Sequence, residues 1–262
     1  MKKLFAIFGD PVGHSKSPLM HNLCFEHFGV DACYMRICLK DPNLLRDKFF
    51  LLGLSGANIT VPHKQRAFTI CDEIDNSAKD IGAVNTIINS GGKLKGYNTD
   101  TLGFMMAVKE FSKQKVLILG AGGTAKAIAH IMVQKGYDVT VVNRSAKRLE
   151  AFGFCKSYDW NSFKQAQKYD LIINTTSAGL SDETLPIQKE VLVELFKSAQ
   201  GAVDVVYGKT TPFLQLAKDC KIAHKDGADM LLYQGVIAHS HFIGKRFSQS
   251  EITKVMQKAF VL

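Results

Sequence analysis

A glycine-rich turn between a strand pattern and a helix pattern limits the possible folds more than any other feature of this sequence. The four apolar residues 116–119 lead directly into the turn Gly120-Ala121-Gly122-Gly123-Thr124. After the turn, apolar residues recur with the spacing of one helix face, at Ala127, Ile128, Ile131 and Met132. Such a turn can hold a pyrophosphate, because backbone N–H groups at a helix start bind phosphate and glycine permits close approach. Residues 120–124 therefore predict a dinucleotide site, and a tight turn without a ligand is the alternative.

The end of the next predicted strand indicates which dinucleotide is bound. In NAD sites this strand ends in Asp or Glu, which accepts hydrogen bonds from the ribose 2′-hydroxyl. Here the strand ends in Asn143, Arg144 and Ser145, with Lys147 and Arg148 close behind. Because these cations suit a 2′-phosphate, we expect NADP(H) rather than NAD. The alternative is that Arg144 and Arg148 are merely solvated residues at a helix start.

The residues after 115 alternate short apolar runs with helical stretches. The runs span residues 116–119, 138–142, 171–173 and 202–206. Short apolar strands separated by helices are typical of a parallel sheet that is buried on both faces. We therefore predict a Rossmann-like NADP-binding domain over residues 102–235.

The first hundred residues have an α/β pattern of their own. Strands are expected over 4–8 and 32–38, helices from 18 and over 41–53, and a hairpin over 84–97 that turns at two adjacent glycines. The stretches 230–241 and 248–260 are helical, and Ser248 with Glu251 forms a capping box. We expect residues 236–262 to pack back on residues 1–101 and to complete a substrate-binding domain. The predicted fold class is therefore two-domain α/β.

Composition and charge exclude several classes of protein. The chain has 262 residues, of which 46% are apolar, and this is enough to form a core. The net charge is 33 − 24, or +9, but no more than two basic residues are adjacent. Spread charge favours a small anionic partner over nucleic acid. No apolar stretch approaches the roughly 20 residues that cross a bilayer, so no membrane partner is expected.

The cysteines and histidines point away from disulfides and metals. Six cysteines include no C-x-x-C pair and lie in apolar segments, which predicts buried free thiols in the cytoplasm. His239 and His241 would point about 200° apart around a helix, and no H-E-x-x-H pattern exists. We therefore expect no metal.

Three polar clusters lie outside the predicted dinucleotide domain. Ser15 and Ser17 stand in a Gly/Pro-rich loop before a helix, where they could bind a carboxylate, or Ser17 could simply cap the helix. Asn58 and Thr60 share one face of an extended segment, and Pro62 turns the chain so that Lys64 can point into the same space. Asp100 stands at a predicted helix start, where it could equally assist a cap.

Taken together, these motifs resemble the shikimate dehydrogenase family. They are GDPVGHSKSPLMHN at 9–22, NITVPHK at 58–64, GAVNT at 82–86, GYNTD at 96–100 and GAGGT at 120–124. NRS at 143–145, NTTS at 174–177, DVVY at 204–207 with TP at 211–212, and GADMLLYQ at 227–234 continue the match in the family's order. Only the last 28 residues lack a signature. Gly208-Lys209 and Gly235 depart from the family, which often has Asn-Pro and Ala there.

The resemblance implies a role for each matching residue. Lys64 and Asp100 would transfer the proton, and Ser15 and Ser17 would bind the substrate carboxylate. Asn58, Thr60, Asn85, Tyr207 and Gln234 would hold the ring hydroxyls or the carboxylate. The cofactor would be bound by Gly120, Ala121, Gly122, Gly123, Thr124, Asn143, Arg144, Ser145, Arg148, Thr175, Val205 and Gly227.

The implied reaction is reversible NADPH-dependent reduction of 3-dehydroshikimate to shikimate, in aromatic amino acid biosynthesis, by a cytoplasmic monomer or homodimer. Two alternatives stay open. One is a quinate/shikimate dehydrogenase that uses NAD or NADP, and the other is a non-catalytic NADP-binding sensor.

Overall fold

A computed structural model describes residues 2–112, 114–164 and 167–261. Its strands are β1 (Lys3–Gly9), β2 (Ala32–Cys38), β3 (Gly56–Ile59), β4 (Glu73–Ile74), β5 (Thr86–Ser90), β6 (Lys93–Tyr97), β7 (Lys115–Leu119), β8 (Asp138–Asn143), β9 (Lys156–Asp159), β10 (Leu171–Asn174), β11 (Gly201–Asp204) and β12 (Ala223–Lys225). Its α-helices are α1 (Ser17–His27), α2 (Leu45–Leu51), α3 (Lys64–Ile70), α4 (Asn76–Lys79), α5 (Asp100–Ala107), α6 (Gly123–Gln134), α7 (Lys189–Phe196), α8 (Pro212–Asp219), α9 (Ala228–Phe242) and α10 (Gln249–Met256). Short 3-10 helices span Pro42–Leu44, Ala146–Phe152 and Gln257–Phe260.

The chain forms two compact units. The first contains Met1–Gly103 and Leu231–Leu262, and the second contains Phe104–Met230. The chain therefore leaves the first unit within α5 and returns within α9. The limits proposed from sequence were 101/102 and 235/236. No helix in the described residues is long and apolar enough to cross a membrane.

The first unit is built on a mixed six-stranded sheet with the order β2-β1-β3-β5-β6-β4. β1 is parallel to β2 and β3, whereas β5 is antiparallel to both β3 and β6. The carboxyl ends of β1, β3 and β6 and the amino end of β5 consequently lie along one edge of the sheet. Every loop that carries a candidate polar residue in residues 1–101 starts from this edge.

Apolar side chains cover both faces of this sheet. One core joins Phe5 and Ile7 of β1 to Phe25 of α1, Phe242 of α9 and Ile252 of α10. The two last helices thus pack against the first strand and helix, because α9 and α10 supply the apolar stripe that covers one face. The opposite face is covered by the apolar side chains of α2 and α3.

The second unit contains a fully parallel sheet with the order β12-β11-β10-β7-β8-β9. The chain proceeds outward from β7 to β9 on one side and from β10 to β12 on the other. The order therefore reverses between β7 and β10, and open parallel sheets bind ligands at the carboxyl ends of strands at such a point.

Several local predictions from sequence are wrong. The helix expected over 41–53 begins as a 3-10 turn, since Asp41 accepts a hydrogen bond from the Asn43 amide, and the α-helix starts only at Leu45. β11 ends at Asp204 rather than at 206, because the Asp204 carboxylate turns the chain by accepting from the Val206 amide.

Two interpretations of side chains are also wrong. Ser17 is not the cap of α1, because Lys16 occupies the N-cap and Ser17 is the first helical residue. Six free cysteines are present, but only Cys24 is buried and Cys38 is exposed. Their strands and helices are amphipathic, so a cysteine in an apolar segment does not always face the core.

Candidate functional site

Most candidate substrate residues of the first unit lie on one edge of its sheet. Ser15 and Ser17 follow β1, Thr60 and Lys64 follow β3, Asn85 precedes β5, and Asp100 follows β6. Backbone hydrogen bonds join these segments, from the Asp10 amide to the Val61 carbonyl and from the Asn85 amide to the Tyr97 carbonyl. The fold therefore brings together residues that are up to 85 positions apart in sequence, from 15 to 100.

Lys64 and Asp100 form an ion pair at this edge. The Lys64 Nζ lies 2.7 Å from the Asp100 Oδ2, and the two side chains are 27% and 15% exposed. Lys64 is the first residue of α3 and Asp100 is the first residue of α5. The site therefore offers a proton donor and a carboxylate in direct contact, partly shielded from water.

The loop after β1 is held in a fixed shape. The Ser15 Oγ accepts a hydrogen bond from the Ser17 amide at 3.2 Å, and the Ser15 amide donates to the Val12 carbonyl. Arg36 on β2 donates two hydrogen bonds to the Ser15 carbonyl, at 3.1 and 2.7 Å. Both serines are buried. The Arg36 guanidinium therefore binds the backbone of the loop, and it forms no salt bridge with any described residue.

A buried polar network surrounds Asn85. The Asn85 Oδ1 accepts from the Thr99 amide at 2.8 Å and from the Thr86 hydroxyl at 3.0 Å, while its Nδ2 donates to the Thr99 Oγ1 at 3.0 Å. Thr86 and Thr99 are fully buried. Because Thr99 precedes Asp100, this network fixes the start of α5.

Asn58 joins that network to a second group of buried side chains. Its Nδ2 donates to the Thr86 Oγ1 at 3.0 Å and to the Asn85 carbonyl at 3.3 Å. Its Oδ1 accepts from the Tyr34 hydroxyl at 2.7 Å. Burial raises the pKa of the Tyr34 phenol well above the ordinary value, and the neighbouring Ser17 side chain opposes this shift. The carboxylate candidate Ser17 and the hydroxyl candidate Asn58 thus both lie beside the Tyr34 phenol.

Gln234 is placed by a close helix contact. It lies on α9, and its Nε2 donates to the Leu231 carbonyl at 2.9 Å. A Cβ on Gly103 of α5 would lie 2.5 Å from the Gln234 amide nitrogen. Only glycine therefore allows α5, which starts at Asp100, to approach α9 at this point.

In the second unit, the candidate cofactor residues line an open cavity of about 580 Å³ at the point where the strand order reverses. The cavity is lined by Gly120, Ala121, Gly122, Asn143, Arg144, Arg148 and Thr175, and also by Trp160, Thr176, Ser177, Asp182 and Thr184. Gly123 and Thr124 begin α6 directly beside it. Ser145, Val205 and Gly227 are not among the lining residues.

The glycine turn is suited to a phosphate. Gly120 has a φ of +109°, and a Cβ there would lie 2.7 Å from the Thr175 Oγ1. At Gly122 and Gly123 an added Cβ would meet nothing within 4 Å, and no side chain caps the start of α6. The first amides of α6 are therefore accessible to an anionic group, as an NADP pyrophosphate requires.

Arg144 and Arg148 are exposed at the rim of this cavity. Neither guanidinium has an ion pair or hydrogen bond to another residue in the part of the chain that the structure describes. Asn143 is oriented by a hydrogen bond from its Nδ2 to the Ser145 carbonyl at 3.0 Å. The residues present therefore fit a 2′-phosphate at the end of β8.

A buried carboxylate that sequence reasoning missed organises the same end of the sheet. The Asp204 Oδ2 accepts from the Asn174 Nδ2 at 3.0 Å and from the Thr211 hydroxyl at 2.7 Å. Burial raises the pKa of Asp204 above its ordinary value. The Asn174 Oδ1 in turn accepts from the Thr176 amide and hydroxyl. Asp204 thereby fixes the segment after β10 that lines the cavity.

Tyr207 and Gly227 stand on neighbouring loops of this unit. Gly208, directly after Tyr207, has a φ of +81° and donates its amide to Asp226 at 3.2 Å. A Cβ on Gly227 would lie 2.2 Å from the Val205 carbonyl oxygen. The departure from the family at Gly208 thus supplies a left-handed residue, and Gly227 is required by backbone packing.

Among the residues that the structure describes, no three His, Cys, Asp or Glu side chains are grouped so that they could hold a metal ion. The residues missed from sequence are Tyr34, Thr86, Thr99, His21, His239, Trp160 and Asp204. His21 had a usable signal, since it lies four positions after Ser17 on the same helix face. The partners of the others are distant in sequence.

Two family models match this chain, one in each of its two units. Residues 7–87 match the family model for the shikimate dehydrogenase substrate binding domain, and residues 105–202 match the model for shikimate / quinate 5-dehydrogenase. An NADP(+) shikimate dehydrogenase of Helicobacter pylori strain P12 is 45% identical, with 98% of this chain and 99% of the relative covered. The relative in Helicobacter hepaticus is 42% identical, with 96% and 95% covered.

A solved structure extends the likeness to the fold. The shikimate 5-dehydrogenase of Thermus thermophilus, in complex with NADP(H) and shikimate, has a TM-score of 0.85 and 32% identity, with 98% of this chain and 99% of that chain covered. The predicted two-domain α/β fold class is confirmed. The resemblance inferred from the ordered motifs is confirmed as well, and the chain belongs to the shikimate dehydrogenase family.

Proposed function

We propose that the chain catalyses the reversible NADPH-dependent reduction of 3-dehydroshikimate to shikimate, with Lys64 and Asp100 as its proton-transfer pair. The observation that carries the proposal is the 2.7 Å ion pair at a sheet edge, beside a buried network of amides and hydroxyls. The expected NADP cofactor and the expected oxidoreductase activity are confirmed by the curated relatives, whose names specify both.

Lys64 acts on the oxygen of the reacting carbon. Reduction of a ketone leaves negative charge on oxygen, and an ammonium beside that oxygen stabilises the transition state and can deliver the proton. Asp100 accepts a hydrogen bond from Lys64 and thereby orients it. In the oxidative direction the pair accepts the proton from the substrate hydroxyl.

The remaining edge residues bind the rest of the substrate. Ser15 and Ser17 donate to its carboxylate, where the amides at the start of α1 add positive potential. Asn58, Thr60, Asn85, Tyr207 and Gln234 hold ring hydroxyls or the carboxylate. No buried cation is needed, because hydroxyl and amide donors satisfy the carboxylate.

The second unit binds NADP(H), which supplies the hydride. Gly120, Ala121, Gly122, Gly123 and Thr124 hold the pyrophosphate, Asn143, Arg144, Ser145 and Arg148 hold the 2′-phosphate, and Thr175, Val205 and Gly227 border the rest of the cofactor. The open cavity and the uncapped start of α6 support this assignment.

A spectrophotometric assay tests the reaction, the cofactor and the substrate together. The purified protein should oxidise NADPH with 3-dehydroshikimate and reduce NADP(+) with shikimate, while Lys64→Ala should do neither at a comparable rate. Absence of turnover in protein that binds NADPH would refute the enzyme and favour an NADP-binding sensor.

Quinate is the specific alternative substrate, because the family model matched by residues 105–202 names both shikimate and quinate. Assays with quinate, and with NAD in place of NADP, decide whether the enzyme is specific for shikimate and NADP or also accepts quinate and NAD. The cytoplasmic location and the monomeric or homodimeric state stay predictions from sequence, and light scattering tests the second.

A further inference from the structure

Two histidines face each other in the core of the first unit. The Nδ1 atoms of His21 on α1 and His239 on α9 are 3.0 Å apart, and both rings are buried. Burial lowers the pKa of His239 to about 4 and lowers that of His21 well below its ordinary value. Both imidazoles are therefore neutral near neutral pH, and each ring carries one proton on one of its two nitrogens.

The surrounding hydrogen bonds decide where these protons lie. The His21 ring also interacts with the Asn58 side chain, which opposes the lowering of the His21 pKa. Both amide protons of Asn58 are already used, on Asn85 and Thr86, so the Asn58 Oδ1 must accept from His21. The His21 Nδ1 faces His239, so its Nε2 carries the proton toward Asn58 and its Nδ1 is an acceptor.

The opposite tautomer follows for His239. Its Nδ1 must carry the proton that is donated to the His21 Nδ1, which leaves its Nε2 bare. The His239 Nε2 is indeed buried without a hydrogen-bond partner among the described residues. The chain of donors thus runs from His239 through His21 to the Oδ1 of Asn58.

We propose that His21 and His239 are a pair of positioning residues, in which His239 fixes the tautomer of His21 and His21 fixes the amide orientation of Asn58. The inference rests on the proposed function insofar as Asn58 borders the substrate. With the Oδ1 held by His21 and Tyr34, the Asn58 amide group is directed toward Asn85 and Thr86. A flipped amide would place N–H groups against two donors and would break this network.

Simple core packing does not account for this pair. The two rings lie among Phe25, Tyr34 and Phe242, where an apolar side chain could fill the same volume. A buried imidazole nitrogen without a hydrogen-bond partner destabilises the folded state. An apolar residue at position 239 would not have this penalty, so packing alone does not favour histidine there. What His239 adds is the donor that satisfies the His21 Nδ1.

Nuclear magnetic resonance on the wild-type protein tests the tautomers without any substitution. In protein labelled with ¹⁵N at histidine, long-range proton–nitrogen correlations distinguish the two neutral forms. We expect the Nε2-protonated form for His21 and the less common Nδ1-protonated form for His239. The reverse assignment, or a charged ring at neutral pH, overturns the proposal. This result does not depend on turnover.

A matched pair of variants tests the consequence for the substrate. His239→Asn places an amide N–H near the position of the Nδ1 donor, whereas His239→Leu has nearly the same size and no donor. Loss of one hydrogen bond predicts that His239→Leu raises the KM for shikimate about threefold to tenfold. The KM for NADP(+) should not change, and His239→Asn should stay within about twofold of the wild type.

The two variants also separate positioning from folding. A merely structural role would lower the fraction of folded protein in both variants and reduce kcat without a selective change in KM, so melting curves accompany the kinetics. Equal KM values for shikimate in His239→Asn and His239→Leu overturn the proposal. If the wild type itself turns over neither shikimate nor quinate, the proposed function fails, and the tautomer measurement still decides the pair.

Discussion

Removal of the Lys64 ammonium should depress turnover in both directions. A general acid–base group contributes about 10²–10⁴-fold in rate, so Lys64→Ala should lower kcat by that order with little change in the KM for NADP(+). Asp100→Ala should lower kcat as well, by at least the contribution of its hydrogen bond to Lys64. The ion pair itself is one charge-assisted hydrogen bond of 2.7 Å, worth about 1.5–3 kcal/mol, or about 10- to 150-fold. A larger loss in Asp100→Ala would show that the carboxylate also acts on the substrate.

A double-mutant cycle decides whether the two residues act as one unit. If they do, Lys64→Ala/Asp100→Ala will be scarcely slower than the slower single variant, because removing the second member of a broken unit removes little more. Asp100→Asn is the matched control, since it keeps an oxygen acceptor for Lys64 and loses only the charge. Stopped-flow and steady-state measurements of NADPH absorbance supply the rates. Multiplicative losses would refute the unit, and near-normal turnover in Lys64→Ala would refute the mechanism.

Four further variants test the rest of the site and its support. Arg144→Ala should raise the KM for NADP(+) about tenfold to a hundredfold and leave that for NAD nearly unchanged, since one charge-assisted bond to the 2′-phosphate is lost; equal losses would assign Arg144 to the fold. Joint replacement of Ser15 and Ser17 by Ala should weaken shikimate binding in calorimetry. In that variant, an analogue without the carboxylate should bind only slightly more weakly than shikimate. If the affinity losses from the substitution and from the missing carboxylate simply add, the assignment is contradicted. Gly103→Ala should lower the free energy of unfolding by about 1–3 kcal/mol, because its Cβ would lie 2.5 Å from the α9 backbone, and an unchanged denaturation midpoint would contradict this. Burial lowers the pKa of His239 from 6.5 to about 4 in the folded protein, so the unfolded chain takes up the proton first as the pH falls. The free energy of unfolding should therefore decline between about pH 6.5 and 4 by up to about 3 kcal/mol more in the wild type than in His239→Leu. Parallel plots of this free energy against pH for the two proteins would refute the prediction.

The elements that could be predicted from sequence are those whose signals are local. The glycine turn at 120–124 lies between β7 and α6 as its neighbours indicate, and the capping box of Ser248 and Glu251 is present. The hairpin of β5 and β6 turns at Gly91 and Gly92, both with positive φ. In each case the residues that specify the structure are within a few positions of one another.

The buried network could not be predicted because its partners are distant in sequence. Tyr34 and Asn58 are 24 positions apart, and His21 and His239 are 218 apart. The periodicity of apolar residues shows that a side chain faces the core, but it does not show which polar group of another element lies next to it. The same limit explains the incorrect interpretation of Ser17, which is the first residue of α1 and not its N-cap.

The hydrogen bonds of the first unit also explain why this sheet edge suits an anionic polyol. Asn58 hydrogen-bonds Tyr34, Asn85 and Thr86, so it fixes the positions of its neighbours at this edge. Asn85 uses one amide proton on Thr99, and no hydrogen bond to a described residue takes the other. Lys64 likewise uses one of its three donors, on Asp100. Asn85 and Lys64 together therefore keep three donors that no described residue takes up. A ligand with a carboxylate and several hydroxyl oxygens satisfies these donors, whereas a cation would leave them unpaired and would have to compete with Lys64 for the Asp100 carboxylate.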